Sequence, residues 1–179
     1  MVPLHAGVQF RLLGPARHDD RCVYSLPWSK GMTFGVGQGY DGDETHQGKY
    51  AIDWDMPVGT LVRATRDGIV VDYKDNFYEG GISDDLRSRA NFVGILHSDG
   101  TVGQYVHLDY HGVKVKIGDR VRRGDVIGRS GDIGFSSGPH LHFEVYTVTS
   151  NLDRQTIPVR FKTSTDRAAT LVTGIGYTN

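Results

Sequence analysis

Glycine divides this chain into short apolar runs at nearly regular intervals, and that spacing restricts the fold more than any other feature. With 24 glycines among 179 residues and only 6 prolines, the glycine share is nearly twice the ~7% of an average protein. The sequence has no low-complexity stretch, so the excess marks tight turns. The runs between the turns read as strands. Gly68-Ile69-Val70-Val71-Asp72-Tyr73 opens on glycine and continues in β-branched residues. Residues 91–97 and 101–108 flank Ser98-Asp99-Gly100, a hairpin signal. Residues 113–117 alternate Val/Lys/Val/Lys/Ile, which predicts a half-buried strand with Lys114 and Lys116 on its solvent side. Gly118-Asp119, Gly124-Asp125 and Gly131-Asp132 add three more turns. Only residues 84–90 hint at a helical turn, within a polar segment, 74–89, that reads as a long surface loop. The expectation is a mainly β fold: an antiparallel sandwich or barrel-like sheet with long loops and little helix. One domain over 1–179 suits this length, with a core at about 26–148 and extensions at 1–25 and 150–179.

Composition removes several classes of function. The 20 basic and 21 acidic residues nearly cancel, and no basic block stands out, so nucleic acid is not an expected partner. No run approaches the ~20 apolar residues of a membrane span. Cys22 is the only cysteine, which excludes an internal disulfide and a cysteine-rich zinc site. Beside Val23 and Tyr24 it reads as a small apolar residue. Met1-Val2-Pro3-Leu4-His5 lacks the basic and apolar regions of an export signal.

The eight histidines carry the chemistry. In Gly138-Pro139-His140-Leu141-His142-Phe143-Glu144-Val145, a strand puts His140, His142 and Glu144 on one face and Leu141, Phe143 and Val145 on the other. Two imidazoles at i and i+2 project in parallel, one able to face a metal and the other a substrate beside it. Ala51, Asp53 and Asp55 share a face opposite Ile52 and Trp54. His46 lies seven residues before Asp53, so the two converge only if a turn intervenes, and Gly48 can supply it. In Gln104-Tyr105-Val106-His107-Leu108-Asp109, alternation groups His107 with Tyr105 and sets Val106 and Leu108 on the other face. Imidazole and carboxylate donors suit zinc, and two histidines plus one carboxylate leave a fourth position for water. His46, Asp53, His107, His140 and His142 make up such a set with two histidines to spare for proton transfer. Asp55 and Glu144 are candidates for orienting an imidazole N–H. Trp28 and Trp54 read as core aromatics, and His5, His18, His97 and His111 as surface or turn residues.

Several motifs occur in order: Thr45-His46, Ala51-Ile52-Asp53, Met56-Pro57-Val58-Gly59-Thr60, Asp67-Gly68-Ile69-Val70, Tyr105-Val106-His107-Leu108 and the 138–145 segment, with a glycine-turned hairpin at 116–128. Together they resemble the M23 family of zinc endopeptidases, the lysostaphin/LytM-type peptidoglycan hydrolases, over about 26–148. The resemblance implies one zinc ion per chain held by His46, Asp53 and His142. It implies His107 and His140 as the catalytic pair, without settling which is the general base. It places Tyr40, six residues before His46, near the substrate carbonyl. It further implies a monomer that acts outside the cytoplasm on peptidoglycan peptides. Lysostaphin-like members have their histidine and aspartate four apart, not seven, which shifts the implied substrate from pentaglycine bridges toward D-amino-acid cross-links. A catalytically silent peptidoglycan-binding or amidase-regulating domain is the rival on the same scaffold. A phosphocarrier with paired histidines is a third reading, and it leaves His46 and Asp53 unexplained.

Overall fold

Glycine turns join successive strands, and among the described residues nine strands assemble into one open sheet, with three two-stranded sheets beside it. The computed structural model describes residues 18–149 and 153–179. Its main sheet runs Gly176–Thr178, Thr33–Gln38, Ala51–Trp54, Leu141–Val148, Val102–Val106, Phe92–Leu96, Gly68–Lys74 and Arg120–Val121, with Arg154–Thr156 also paired to Leu141–Val148. Each pairing in it is antiparallel, and the sheet does not close into a barrel. The turn at 98–100 forms the expected hairpin, with Leu96 opposite Val102.

The longest strand, Leu141–Val148, is central and has alternating burial. Phe143 stands opposite Ile52 on one side and Tyr105 on the other, and all three are essentially inaccessible. Trp28, Trp54, Tyr24 and Phe161 complete that face through tilted and edge-to-face contacts, the geometry aromatic quadrupoles favour. This aromatic layer fixes which face the remaining residues of the central strands present.

Three local expectations change. Val113 and Val115 are half-buried and Lys114 and Lys116 exposed, but Ile117 is exposed too and no strand forms there; backbone bonds from Lys114 N–H to Ile127 O and from Asp119 N–H to Lys116 O hold the segment. The loop after Lys74 is ordered: Gly80–Gly81 pairs with Gly134–Phe135, a 3-10 helix spans Asp84–Ser88, and the Asn91 amide bonds both backbone groups of Phe77. The described residues of the flanking segments, 18–25 and 153–179, pack into the core. Val23–Ser25 pairs with Arg160–Lys162, and Tyr24, Val159, Phe161 and Leu171 belong to the core. His5 lies outside the described residues.

His97 is buried, not at the surface. Its Nδ1 faces the Asp67 carbonyl at 2.8 Å, so Nδ1 carries the proton, and Nε2 has no partner. Burial pushes this imidazole down to about 4, outweighing the Asp67 hydrogen bond. An unfolded histidine titrates near ~6.5. Below that pH the unfolded chain takes a proton that the folded chain refuses, so stability falls from about pH 6.5 to about pH 4 and loses no more from this group beyond. The ring carbon and proton shifts of His97 are expected to show a midpoint near 4; a midpoint near 6.5 contradicts its burial as a neutral base.

Candidate metal centre

The sheet register that buries Phe143 also builds the site. Asp53 stands directly opposite His142, and His142 opposite Val106, so these side chains share the face away from the aromatic layer. Asp53 Oδ1 lies 2.8 Å from His142 Nδ1. His46 arrives from the preceding loop, where a turn closed by Lys49 N–H to His46 O at 2.8 Å places Gly48 at φ +68°. The expected turn therefore exists. It sets His46 Nε2 3.2 Å from Asp53 Oδ2 and 3.3 Å from His142 Nδ1.

These three donors fit a metal ion. A tetrahedral zinc with bonds of about 2.0–2.1 Å separates its ligand atoms by about 3.3 Å. Two of the three separations match this, and the third, 2.8 Å, is shorter and has the length of a direct hydrogen bond. Two imidazole nitrogens and a carboxylate this close require a proton or a cation between them. Without a metal, burial pulls the His142 imidazole down, but Asp53 and Glu144 outweigh it and lift it to about 9. Burial would raise the Asp53 carboxyl, yet hydrogen bonds from His142 and His46 hold it far below the usual carboxylate range.

The outer nitrogen of each imidazole also faces an acceptor. His46 Nδ1 faces the Gly39 carbonyl at 3.0 Å, so the proton sits there and Nε2 presents its lone pair. His142 Nε2 lies 3.6 Å from Glu144 Oε2. Glu144 thus lies beside His142 at ion-pair distance, whereas Asp55 is exposed and packs against Gly35 and Gly37.

His140 and His107 complete the cluster. His140 Nδ1 faces the Gly138 carbonyl at 2.8 Å, and its Nε2 comes within 3.8 Å of Asp53 Oδ1. His107 Nδ1 faces the Ile133 carbonyl at 2.8 Å, and its ring centre lies 4.5 Å from that of His140. The alternation assumed for this strand fails here. Strand structure stops at Val106, and His107 adopts φ +62°, so Tyr105 and Leu108 enter the core while Val106 and His107 face the site. A left-handed histidine is uncommon and strained. Backbone bridges Leu108↔Ser130 and Gly131↔His140 hold it in place. Gly131 passes so close that a Cβ there would lie 2.6–2.9 Å from backbone atoms of His107 and Asp109. Burial, followed by the neighbouring His140 and His142, pushes the His107 imidazole down to about 3.

The five residues line one cleft of about 410 Å³, together with Gln38, Lys49, Ile82, Arg87, Phe135 and others. The 74–90 loop contributes Ile82 and Arg87 as a rim. Tyr40 is not among the lining residues. Its hydroxyl donates to Val159 O at 2.8 Å and accepts from Val159 N–H at 3.0 Å, and burial raises it to about 12. In this structure Tyr40 therefore packs with its hydroxyl on the Val159 backbone. Gln38 is one of several lining residues the sequence did not reveal. By strict register Gln38 would face Ile52, but a β-bulge after Val36 brings it opposite Asp53.

A model of Peptidase family M23 matches residues 47–154. The glycyl-glycine endopeptidase ALE-1 of Staphylococcus capitis is 39% identical over 126 residues, 69% of this chain and 32% of that protein. The peptidoglycan DD-endopeptidase ShyA of Vibrio cholerae is 39% identical over 93 residues, 52% of this chain and 19% of that protein. The solved structure of the antimicrobial peptidase lysostaphin from Staphylococcus simulans has a TM-score of 0.52 at 34% identity, covering 69% of this chain and 47% of that one. The matched segment thus spans about a third or less of the two curated relatives. The family match covers more than half of the chain and takes in Asp53, His107, His140 and His142, and on that ground this chain belongs to peptidase family M23.

Proposed function

We propose that this chain is a zinc-dependent endopeptidase domain that hydrolyses peptide cross-links or stem peptides of bacterial peptidoglycan. The observation that supports this most is the set of His46, Asp53 and His142 donor atoms all within 4.8 Å of one another, with two further imidazoles beside them. His46, Asp53 and His142 would hold the ion. A zinc bound there supplies an acidified water, with its pKa brought from 15.7 to about 7, and a polarised carbonyl. The chain's own residues do the rest. His107 and His140 each fix Nδ1–H on a backbone carbonyl, which leaves Nε2 free to take a proton and return it to the leaving amine. Once one Nε2 has taken the proton of the attacking water, its N–H can donate to the developing oxyanion before that proton passes to the leaving amine. Ile82 and Arg87 flank the cleft in which an extended peptide lies. Cell walls lie outside the cytoplasm, so action there is part of the proposal, and among the described residues no helix is long and apolar enough to cross a membrane.

The direct test is digestion of cross-linked sacculi by the purified chain. Stem peptides are expected to appear in the soluble fraction and to vanish on chelation; no metal-dependent release counts against the enzyme. Metal analysis separates the silent regulator, since about one zinc per chain supports a peptidase site. His142→Ala is expected to lose both zinc and activity. His140→Ala is expected to keep zinc and lose turnover by about 10²–10⁴-fold, the usual range for a proton-transfer group. Loss of zinc in both variants contradicts the division of roles.

A further inference from the structure

Gln38 makes more hydrogen bonds inside the site than any of the histidines. Its side chain is buried, with 7% exposure. Oε1 accepts from three consecutive backbone N–H groups: Glu44 at 3.1 Å, Thr45 at 3.0 Å and His46 at 3.3 Å. Nε2 donates to Thr45 Oγ1 at 2.9 Å and to Asp53 Oδ2 at 3.1 Å. The amide orientation is fixed by chemistry: only an acceptor fits three N–H groups, and only a donor fits a carboxylate. Both donor protons and the acceptor are used.

The geometry ties two ligands of different origin. Asp53 belongs to the sheet, while His46 sits on a loop that has no ladder to hold it. Gln38 grips the His46 backbone with one end of its amide and the Asp53 carboxylate with the other. The Asp53 bond also uses Oδ2, which limits how the carboxylate can rotate. We propose that Gln38 is a positioning residue that holds His46 and Asp53 at metal-binding separation and so sets the affinity of the site. This rests on the reading of His46, Asp53 and His142 as metal ligands. Outer groups that orient ligands typically change metal affinity by about 10–100-fold when removed.

The test is competition for zinc against a chromophoric chelator, using the full chain and its Gln38→Met and Gln38→Asn variants, with near-UV circular dichroism to check the aromatic core. Methionine keeps the length and removes all five bonds. Asparagine keeps the amide, one methylene too short to reach both sides. Zinc affinity is expected to fall about 10–100-fold in the methionine variant and by less in the asparagine variant, with the near-UV spectrum retained. A group that serves only the fold would lower the melting temperature and leave zinc affinity unchanged, and that result overturns the proposal. Should neither variant fold, the native chain decides. Its two Gln38 Nε2 protons, followed by nuclear magnetic resonance with zinc bound, are expected to be protected from exchange, and exchange at the rate of a free glutamine amide overturns the proposal. Native protein that binds no zinc refutes the metal-site reading; native and variant proteins that bind it equally refute only the role of Gln38.

Discussion

Everything in the cleft depends on the register between Ala51–Trp54 and Leu141–Val148. Phe143 opposite Ile52 is an apolar contact held by the full weight of an aromatic core, and Asp53 opposite His142 is its direct neighbour. Side chains alternate with period two, so a slip of one residue would bury a carboxylate and an imidazole and expose Ile52 and Phe143. Burying a single large apolar side chain contributes roughly 1.5–3 kcal/mol. The hydrophobic layer thus enforces a polar pairing that, as two desolvated titratable groups, would not stabilise the fold by itself.

The remaining parts of the site are brought in against local preference. His46 requires a loop that turns back on itself, and Gln38 fastens that loop from within. His107 leaves the strand through a left-handed backbone, a conformation that costs of order 1–3 kcal/mol and persists only where surroundings over-determine it. Those surroundings are the bridges on either side of Gly131, which join the segment after His107 to the residue His140. The two histidines are therefore set relative to each other by backbone, and each carries its Nδ1 proton on a fixed carbonyl. Fixed donors and tautomers are the means by which a site avoids reorganising during a reaction.

Most strands, the hairpin at 98–100 and the core tryptophans were legible because each rests on a short period or a local turn, whereas the choice of His46, Asp53 and His142 as ligand candidates came from the family resemblance. The central strand shows this well: alternation alone sorted His140, His142 and Glu144 from Leu141, Phe143 and Val145. What was illegible depends on breaks in that period or on partners far away in the chain. The bulge after Val36 puts Gln38 opposite Asp53, and only Gly37, a glycine within the strand, signals it. The positive φ at His107 reverses a face that alternation had assigned. Residues 113–117 have the pattern of a strand, but Ile117 is exposed and only the Lys114 N–H bond to Ile127 O reaches a neighbouring strand. Tyr40 sits in the right place in the sequence, yet its hydroxyl is taken by Val159, which lies 119 residues on. His97 looked like a turn residue because its partner, the Asp67 carbonyl, comes from another strand connection.

The central claim is that distant residues of this chain converge on one divalent ion and leave a coordination position for water. X-ray absorption at the zinc edge of the native protein measures that arrangement directly. The account predicts about four nitrogen or oxygen neighbours near 2.0–2.1 Å, two of them with the outer-shell scattering of imidazole rings. A zinc with no imidazole scattering, with four imidazoles, or absent altogether after loading would contradict it.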